Sequence, residues 1–395
     1  MSTWFRHKRA RQQFDMDADS WGSPLTGLSN SLCEFGWELL RGECSRQSKQ
    51  NVFVSPLSVF LALAMTKNGA VGETETAMRK ALALPSYPSD AAINDAVLAL
   101  LRSLRPKNGI GLVIANALWV HILHSLSQEF VRASEEIYDA VVRQIDFYQS
   151  SAADVVNDWV SKKTNDEIRG IVTPGTMRDA PAVLTNAVYF RGKFSCPFPK
   201  QETKQDIFYL TDGKEKLVPM MSQVGLFNSY RTGKGFEAAA LSYKGSNLIL
   251  FALLPRKGVR PEEVLSGEAV PELFVEHDEF KLDLSMPRVN VEFATNLKES
   301  LEQMGMAIAF QQTRADFSAL GSHELCLSNV IHKTKLAVDE EGTVASAVSV
   351  VEVFETAPLT RSTKSKTLIF NRPFGILILD RTTGASIFSG TIYDP

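Results

Sequence analysis

An α+β fold with large, mostly antiparallel sheets is predicted by three features of the sequence. Helical patterns crowd the N-terminal part, and strands with turn signals dominate after residue 181. The two are not interleaved as a regular βαβ repeat. The run Pro181 to Phe190 is almost continuously apolar, as in a central strand buried on both faces. No Pro/Gly/Ser-rich linker divides the 395 residues. One large domain over residues 25–395 is therefore expected, behind a charged tail over residues 1–24 that is expected to be disordered.

The elements follow in order. Leu25, Leu28, Leu32, Phe35 and Leu39 recur at helical spacing and predict an opening amphipathic helix. Val52-Phe53-Val54 predicts a short strand that runs into Ser55-Pro56, a capping serine and a first-position proline. The helix that follows has a broad apolar face (Leu57, Phe60, Leu61, Ala64, Met65) and stops at Asn68-Gly69. Helical patterns continue at Glu73 to Leu82, Ala92 to Leu104, Ser127 to Val142 and Ser151 to Lys162, with a strand at Ile110 to Val120. After the 181–190 run come strands separated by Asp212-Gly213, Lys234-Gly235, Lys244-Gly245 and Arg256-Lys257-Gly258. Phe280 to Val291 reads as a strand broken by Pro287, and Thr295 to Met304 as a helix.

Composition narrows the function. A net charge of -3 gives no global attraction to nucleic acid or to an anionic membrane, and no apolar stretch reaches spanning length. Cys33, Cys44, Cys196 and Cys326 show no CxxC pairing and read as free thiols. With no signal-peptide core in the first 20 residues, they favour the cytoplasm. There is no Gly-x-Ser-x-Gly elbow and no Walker loop. His121 and His124 lack the glutamate and cysteine partners of a metal motif and read as surface or loop histidines. An enzyme, a metal site and a cofactor are not expected.

The informative residues are polar ones in apolar surroundings. Asn186 lies inside the buried 183–190 run, Ser55 and Ser58 start a core helix, and His332 precedes another apolar stretch. A buried amide, two hydroxyls and an imidazole need hydrogen-bond partners. They could satisfy one another, or each could be satisfied locally.

Four stretches carry a resemblance. Asn51-Val-Phe-Val-Ser-Pro-Leu-Ser58, Leu184-Thr-Asn-Ala-Val-Tyr-Phe-Arg-Gly-Lys193, Val330-Ile-His-Lys-Thr-Lys-Leu-Ala-Val-Asp-Glu-Glu-Gly-Thr343 and Phe370-Asn-Arg-Pro-Phe374 resemble serpin motifs, in serpin order and at serpin distances. The resemblance runs from about Leu25 to Pro395. It implies three β-sheets, eight or nine helices and an exposed reactive loop near the C-terminus, here about 340–366. It also implies a metastable inhibitor of serine or cysteine proteases, monomeric and without a cofactor. Many such proteins act in the extracellular space.

Carried onto this chain, Ser55, Ser58, Asn186 and His332 match the family's shutter, the polar cluster where the main sheet parts. Glu340 and Arg288 match an ion pair at the top of the inserting segment. Glu340, Glu341, Gly342, Thr343, Val344, Ala345, Ser346 and Ala347 match the hinge. Two positions depart from the family pattern: Phe194 replaces a usual tryptophan and Gly375 a larger apolar residue.

The hinge reads as inhibitory. Side chains alternate along a strand, so Thr343, Ala345, Ala347, Ser349, Val351 and Val353 share one face. Small residues there can slide into a sheet, whereas a charge or proline would oppose it. Counting the family's spacing from Gly342 puts the reactive bond at Thr356-Ala357. This suits an elastase-like or subtilisin-like target. Arg361-Ser362 is the alternative, but five further residues add roughly 17 Å of slack to a segment that must pull an acyl-enzyme taut. A non-inhibitory binding, carrier or chaperone-like protein is the rival reading. Arg102, Arg105 and Lys107 make too thin a patch for a heparin-like polyanion to be expected.

Overall fold

The computed structural model describes residues 24–84, 87–104, 111–277, 280–321, 324–343 and 364–395. Residues 1–23 of the proposed tail and the segment holding Val344, Ala345, Ser346, Ala347, Thr356, Ala357, Arg361 and Ser362 lie outside the described residues, whereas Pro24 already opens the first helix, Pro24–Arg46. The described strands are β1 (Val52–Val54), β2 (Gly111–His121), β3 (Val141–Ile145), β4 (Ala182–Lys193), β5 (Lys204–Tyr209), β6 (Glu215–Phe227), β7 (Tyr230–Gly233) and β8 (Phe236–Ser242). They continue as β9 (Leu248–Pro255), β10 (Phe280–Pro287), β11 (Val289–Asn296), β12 (Leu327–Val338), β13 (Gly342–Thr343), β14 (Lys364–Ile369), β15 (Phe374–Asp380) and β16 (Ser386–Ile392).

They form three sheets. The main sheet runs β11-β12-β13-β4-β2-β3, a second six-stranded sheet runs β1-β16-β15-β9-β8-β7, and a four-stranded sheet runs β14-β10-β6-β5. Ten α-helical segments surround them among the described residues, four of them only four or five residues long. This is the α+β architecture that the sequence pattern predicts, with the three sheets that the resemblance implies.

β4 is buried on both faces. Leu184, Val188 and Phe190 enter the large core shared with the second sheet and the helices. Val183, Ala187 and Tyr189 enter a smaller core with Val156 and Val160 of the helix Ala152–Lys163. The continuous apolar run is thus the central strand of the main sheet. The helix Pro56–Lys67 begins as expected, with Ser55 accepting a bond from the Ser58 N–H and Pro56 in the first turn. Every residue of this helix is buried, so it is apolar all round rather than on one face.

Three elements differ from the sequence expectation, each for a local reason. The helix expected at 127–142 ends at Tyr138 because Asp139 adopts a left-handed conformation (φ 49°). Val141–Ile145 then pairs in parallel with β2. The strand expected across Pro287 is two strands in different sheets: β10 pairs with β6, and after Arg288 the chain enters β11 beside β12. The helix expected from Thr295 starts later, because Thr295 and Asn296 still pair with His332 and Ile331. His121, expected on the surface, is the buried last residue of β2 and meets Phe147 and Tyr148 edge-on. All four cysteines are free thiols.

The two departures have packing reasons. Phe194 is buried, stacks on Tyr243 and meets Phe198 at an angle. A Cβ on Gly375 would lie 2.9 Å from the Leu265 side chain, which fills the space a larger residue would need.

Candidate functional site

The main sheet holds two linked features, a polar row at mid-height and a wedge at one end. Register builds the row: Asn116 of β2 lies opposite Asn186 of β4, which lies opposite His332 of β12. All three side chains are essentially fully buried. They sit on the face covered by the N-terminus of the helix Pro56–Lys67, where Ser55 and Ser58 are also fully buried.

The structure therefore brings Ser55, Ser58, Asn186 and His332 together, and their polar atoms satisfy one another. The Ser55 backbone N–H donates to His332 Nε2 at 3.1 Å. That nitrogen must accept, so Nδ1 carries the proton and donates to Asn186 Oδ1 at 2.5 Å. The Asn186 amide donates to Ser58 Oγ at 2.5 Å and to Asn116 Oδ1. Asn116 donates in turn to the Ser58 carbonyl at 3.3 Å, and Ser55 Oγ to the Ile387 carbonyl of β16 at 2.7 Å. Burial pushes the His332 pKa down to about 3, partly countered by its bond to Asn186, so the imidazole is neutral.

Sequence reasoning missed Asn116 and Thr334. The signal for Asn116 was the one used for Asn186, an amide inside an apolar strand. Thr334 is fully buried one pleat above His332 and donates to the Phe53 carbonyl at 2.5 Å.

Below the wedge β12 and β4 pair directly and in parallel, from Leu327–Ala182 up to Lys335–Tyr189. Above it β13 lies between them. Thr343 pairs antiparallel with Val338 on one side and Gly192 on the other, and Gly342 pairs with Lys193. Thr343 is fully buried, and its hydroxyl shares a 2.6 Å hydrogen bond with the buried Tyr243 hydroxyl. Gly342 has φ 150°, and a Cβ there would lie 2.1 Å from the Gly192 carbonyl oxygen. Only glycine fits.

The residues before the wedge are fixed as tightly. Asp339 Oδ1 accepts from the Glu341 and Gly342 N–H groups at 2.9 and 3.2 Å. The Phe194 and Phe198 N–H groups donate to the Glu341 and Glu340 carbonyls, both at 2.8 Å. Glu340 Oε1 takes Arg288 Nη2 at 2.6 Å, Arg288 Nε at 2.9 Å and the Thr203 hydroxyl at 2.6 Å. Arg288 reaches it from the corner where β10 passes into β11. This is not a surface pair, because the Glu340 side chain is 3% exposed and that of Arg288 47%. Burial pushes the Glu340 carboxyl up, but the Arg288 and Thr203 bonds outweigh it and hold the pKa below the ordinary value. Glu341 points outward to Lys200 Nζ at 2.6 Å.

The comparisons with known proteins agree with this arrangement. Residues 30–395 match a family model described as serpin (serine protease inhibitor). An uncharacterized serpin-like protein of Thermococcus kodakarensis is 32% identical over 97% of this chain and 88% of its own length. Among solved structures, the native state of the thermophilic serpin tengpin aligns with a TM-score of 0.83 at 30% identity, over 93% of this chain and 94% of that one. Human thyroxine-binding globulin in complex with its ligand aligns with a TM-score of 0.84 at 26% identity, over 94% of this chain and 100% of that one.

Proposed function

The chain belongs to the serpin family, and from that membership we propose that it inhibits serine endopeptidases, or cysteine ones, by accepting acylation and then inserting its reactive loop into the main sheet. The observation that carries this reading is β13. Two residues of the hinge, Gly342 and Thr343, already lie between β12 and β4, in the pairing a whole inserted strand would extend.

Continuing that register gives the path. Thr343 lies opposite Val338, so Ala345, Ala347 and Ser349 would come opposite Leu336, Thr334 and His332. All three facing residues are buried, so the small hinge side chains would enter the large core. Ser349 would arrive at the level of the His332–Asn186 bond and break it, so the polar row acts as the shutter. Asn186 and His332 would then need other partners, and a serine hydroxyl can donate and accept. The Glu340–Arg288 pair holds the top of the sheet in its present arrangement.

The reactive bond is assigned to Thr356-Ala357. The protease's nucleophile attacks the Thr356 carbonyl carbon, the bond to the Ala357 nitrogen breaks, and that nitrogen leaves as the new amine. The acyl-enzyme is then drawn along the sheet by the entering hinge. Arg361-Ser362 remains the weaker alternative, because its extra length leaves the acyl-enzyme slack.

Mixing the protein with an elastase-like protease and resolving the products on a denaturing gel tests this reading. A covalent complex that survives denaturation is expected, together with an Ala357 N-terminus in the released peptide. Cleaved protein without any complex would replace the inhibitor reading by its rival, a serpin that carries a small ligand. The likeness to thyroxine-binding globulin favours that rival.

A further inference from the structure

A small cleft of about 160 Å³ opens where five segments of the chain meet. They are the stretch 255–261 from the end of β9 onward, the bend at 372–373 between β14 and β15, and the chain at Lys49, at Thr211 and at Tyr393. Five cationic residues line it: Lys49, Arg256, Lys257, Arg260 and Arg372. No carboxylate among the described residues lines it, although the whole chain carries a net charge of -3.

Like charges gathered in one concavity repel unless something neutralises them. Arg260 is neutralised within the protein, by Glu262 at 3.3 Å and Glu263 at 2.7 Å. Among the described residues, Lys49, Arg256, Lys257 and Arg372 make no ion pair. Arg372 is the least exposed of the four, half-buried beside Pro373, and its burial works against its charge, with only the more distant Glu237 in its favour. Apart from Thr211, the remaining wall is mostly apolar, with Pro255, Val259, Pro261, Pro373 and Tyr393. Tyr393 also lines the cleft, and its hydroxyl donates to Glu262 at 2.7 Å.

We propose that this cleft binds a phosphate or sulfate monoester of a small organic molecule. Arg372 and Arg256 would present planar forks to its oxygens, Lys49 and Lys257 would add point charges, and the proline and tyrosine walls would contact the organic body. A guanidinium matches a tetrahedral oxyanion with two parallel donors, whereas an ammonium supplies a point charge. The volume is below that of a drug-sized site, so the cleft takes a head group and its first ring or chain atoms while the rest leaves over the rim.

Calorimetric titration of the intact protein at low ionic strength tests this without any protease, so its outcome is independent of the inhibitor reading. The probes are phenyl phosphate and inorganic phosphate. Phenyl phosphate is expected to bind saturably and more tightly than inorganic phosphate. Arg256→Gln/Arg372→Gln should weaken it at least tenfold, and so, to a lesser degree, should the exposed single change Lys257→Gln, which leaves Arg372 packing intact. Lys162→Gln/Lys163→Gln removes the same charge from a distant helix and should leave binding unchanged. Equal affinity for the two probes would remove the organic body from the proposal. Absence of saturable binding, or an equal loss in the distant control, would overturn the proposal.

Discussion

His332 is the residue on which the sheet's pH response turns. Its folded pKa of about 3 lies below its ordinary 6.5, so the unfolded chain binds a proton between those values and the folded chain does not. Stability is therefore full above about pH 6.5 and falls as the pH drops towards 3, by at most about 1.4 kcal/mol per pH unit for this group. Denaturant midpoints measured between pH 7 and 5 should fall in the parent, with a shallower slope in His332→Gln. Parallel slopes would show that another group carries the acid response. Gly342 is the second sensitive residue. Gly342→Ala puts a methyl group against the Gly192 carbonyl in a strained backbone conformation, and should cost about 1–3 kcal/mol, read as a lower thermal midpoint. Much of this scale was legible in the sequence. Ser55, Ser58, Asn186 and His332 stood out because polar groups in apolar runs must find partners. Asn116 and Thr334 obey the same rule, but the stretch of Asn116 reads only as a strand and that of Thr334 is assigned no element, with no pairing to show that both lie on the face of the large core. The Tyr243 partner of Thr343 lies just past the end of β8, a hundred residues away in sequence, and left no local sign.

At the scale of elements, β13 and its attachments hold the sheet top. Arg288→Gln leaves the buried Glu340 carboxylate with Thr203 as its remaining side-chain partner and should destabilise the native state by about 1–3 kcal/mol. Urea midpoints check this, and Arg288→Gln/Glu340→Gln should recover part of the loss because the uncompensated charge is gone. Thr343→Arg would force a charge into the space beside Tyr243. On the inhibitor reading it converts complex formation into plain cleavage, visible as a rise in the number of inhibitor molecules consumed per protease. Sequence periodicity found the central strand and the capped core helix because both are decided locally. It overran the helix ending at Tyr138 and ran β10 into β11. A left-handed aspartate and a change of sheet at Arg288 are settled by which neighbour the next segment pairs with, and periodicity carries no such information.

For the whole molecule, the prediction is a change in heat stability. Cleaving the loop with a non-target protease should raise the thermal midpoint well above that of the intact protein, because the freed hinge can complete the strand that β13 begins. An unchanged midpoint would favour the carrier reading. The reason lies in the parallel contact between β12 and β4, which is a single interface between two strands. A strand driven down from β13 would replace that one interface by two antiparallel ones, so the count of paired backbone groups rises with every step. The exchange can proceed like a zip fastener, one rung at a time from an end already parted, and no amide waits long without a partner. The native fold would then be protected by the side chains at the rungs rather than by its hydrogen-bond total. Amide exchange should accordingly begin near Lys335 and reach Leu327 last.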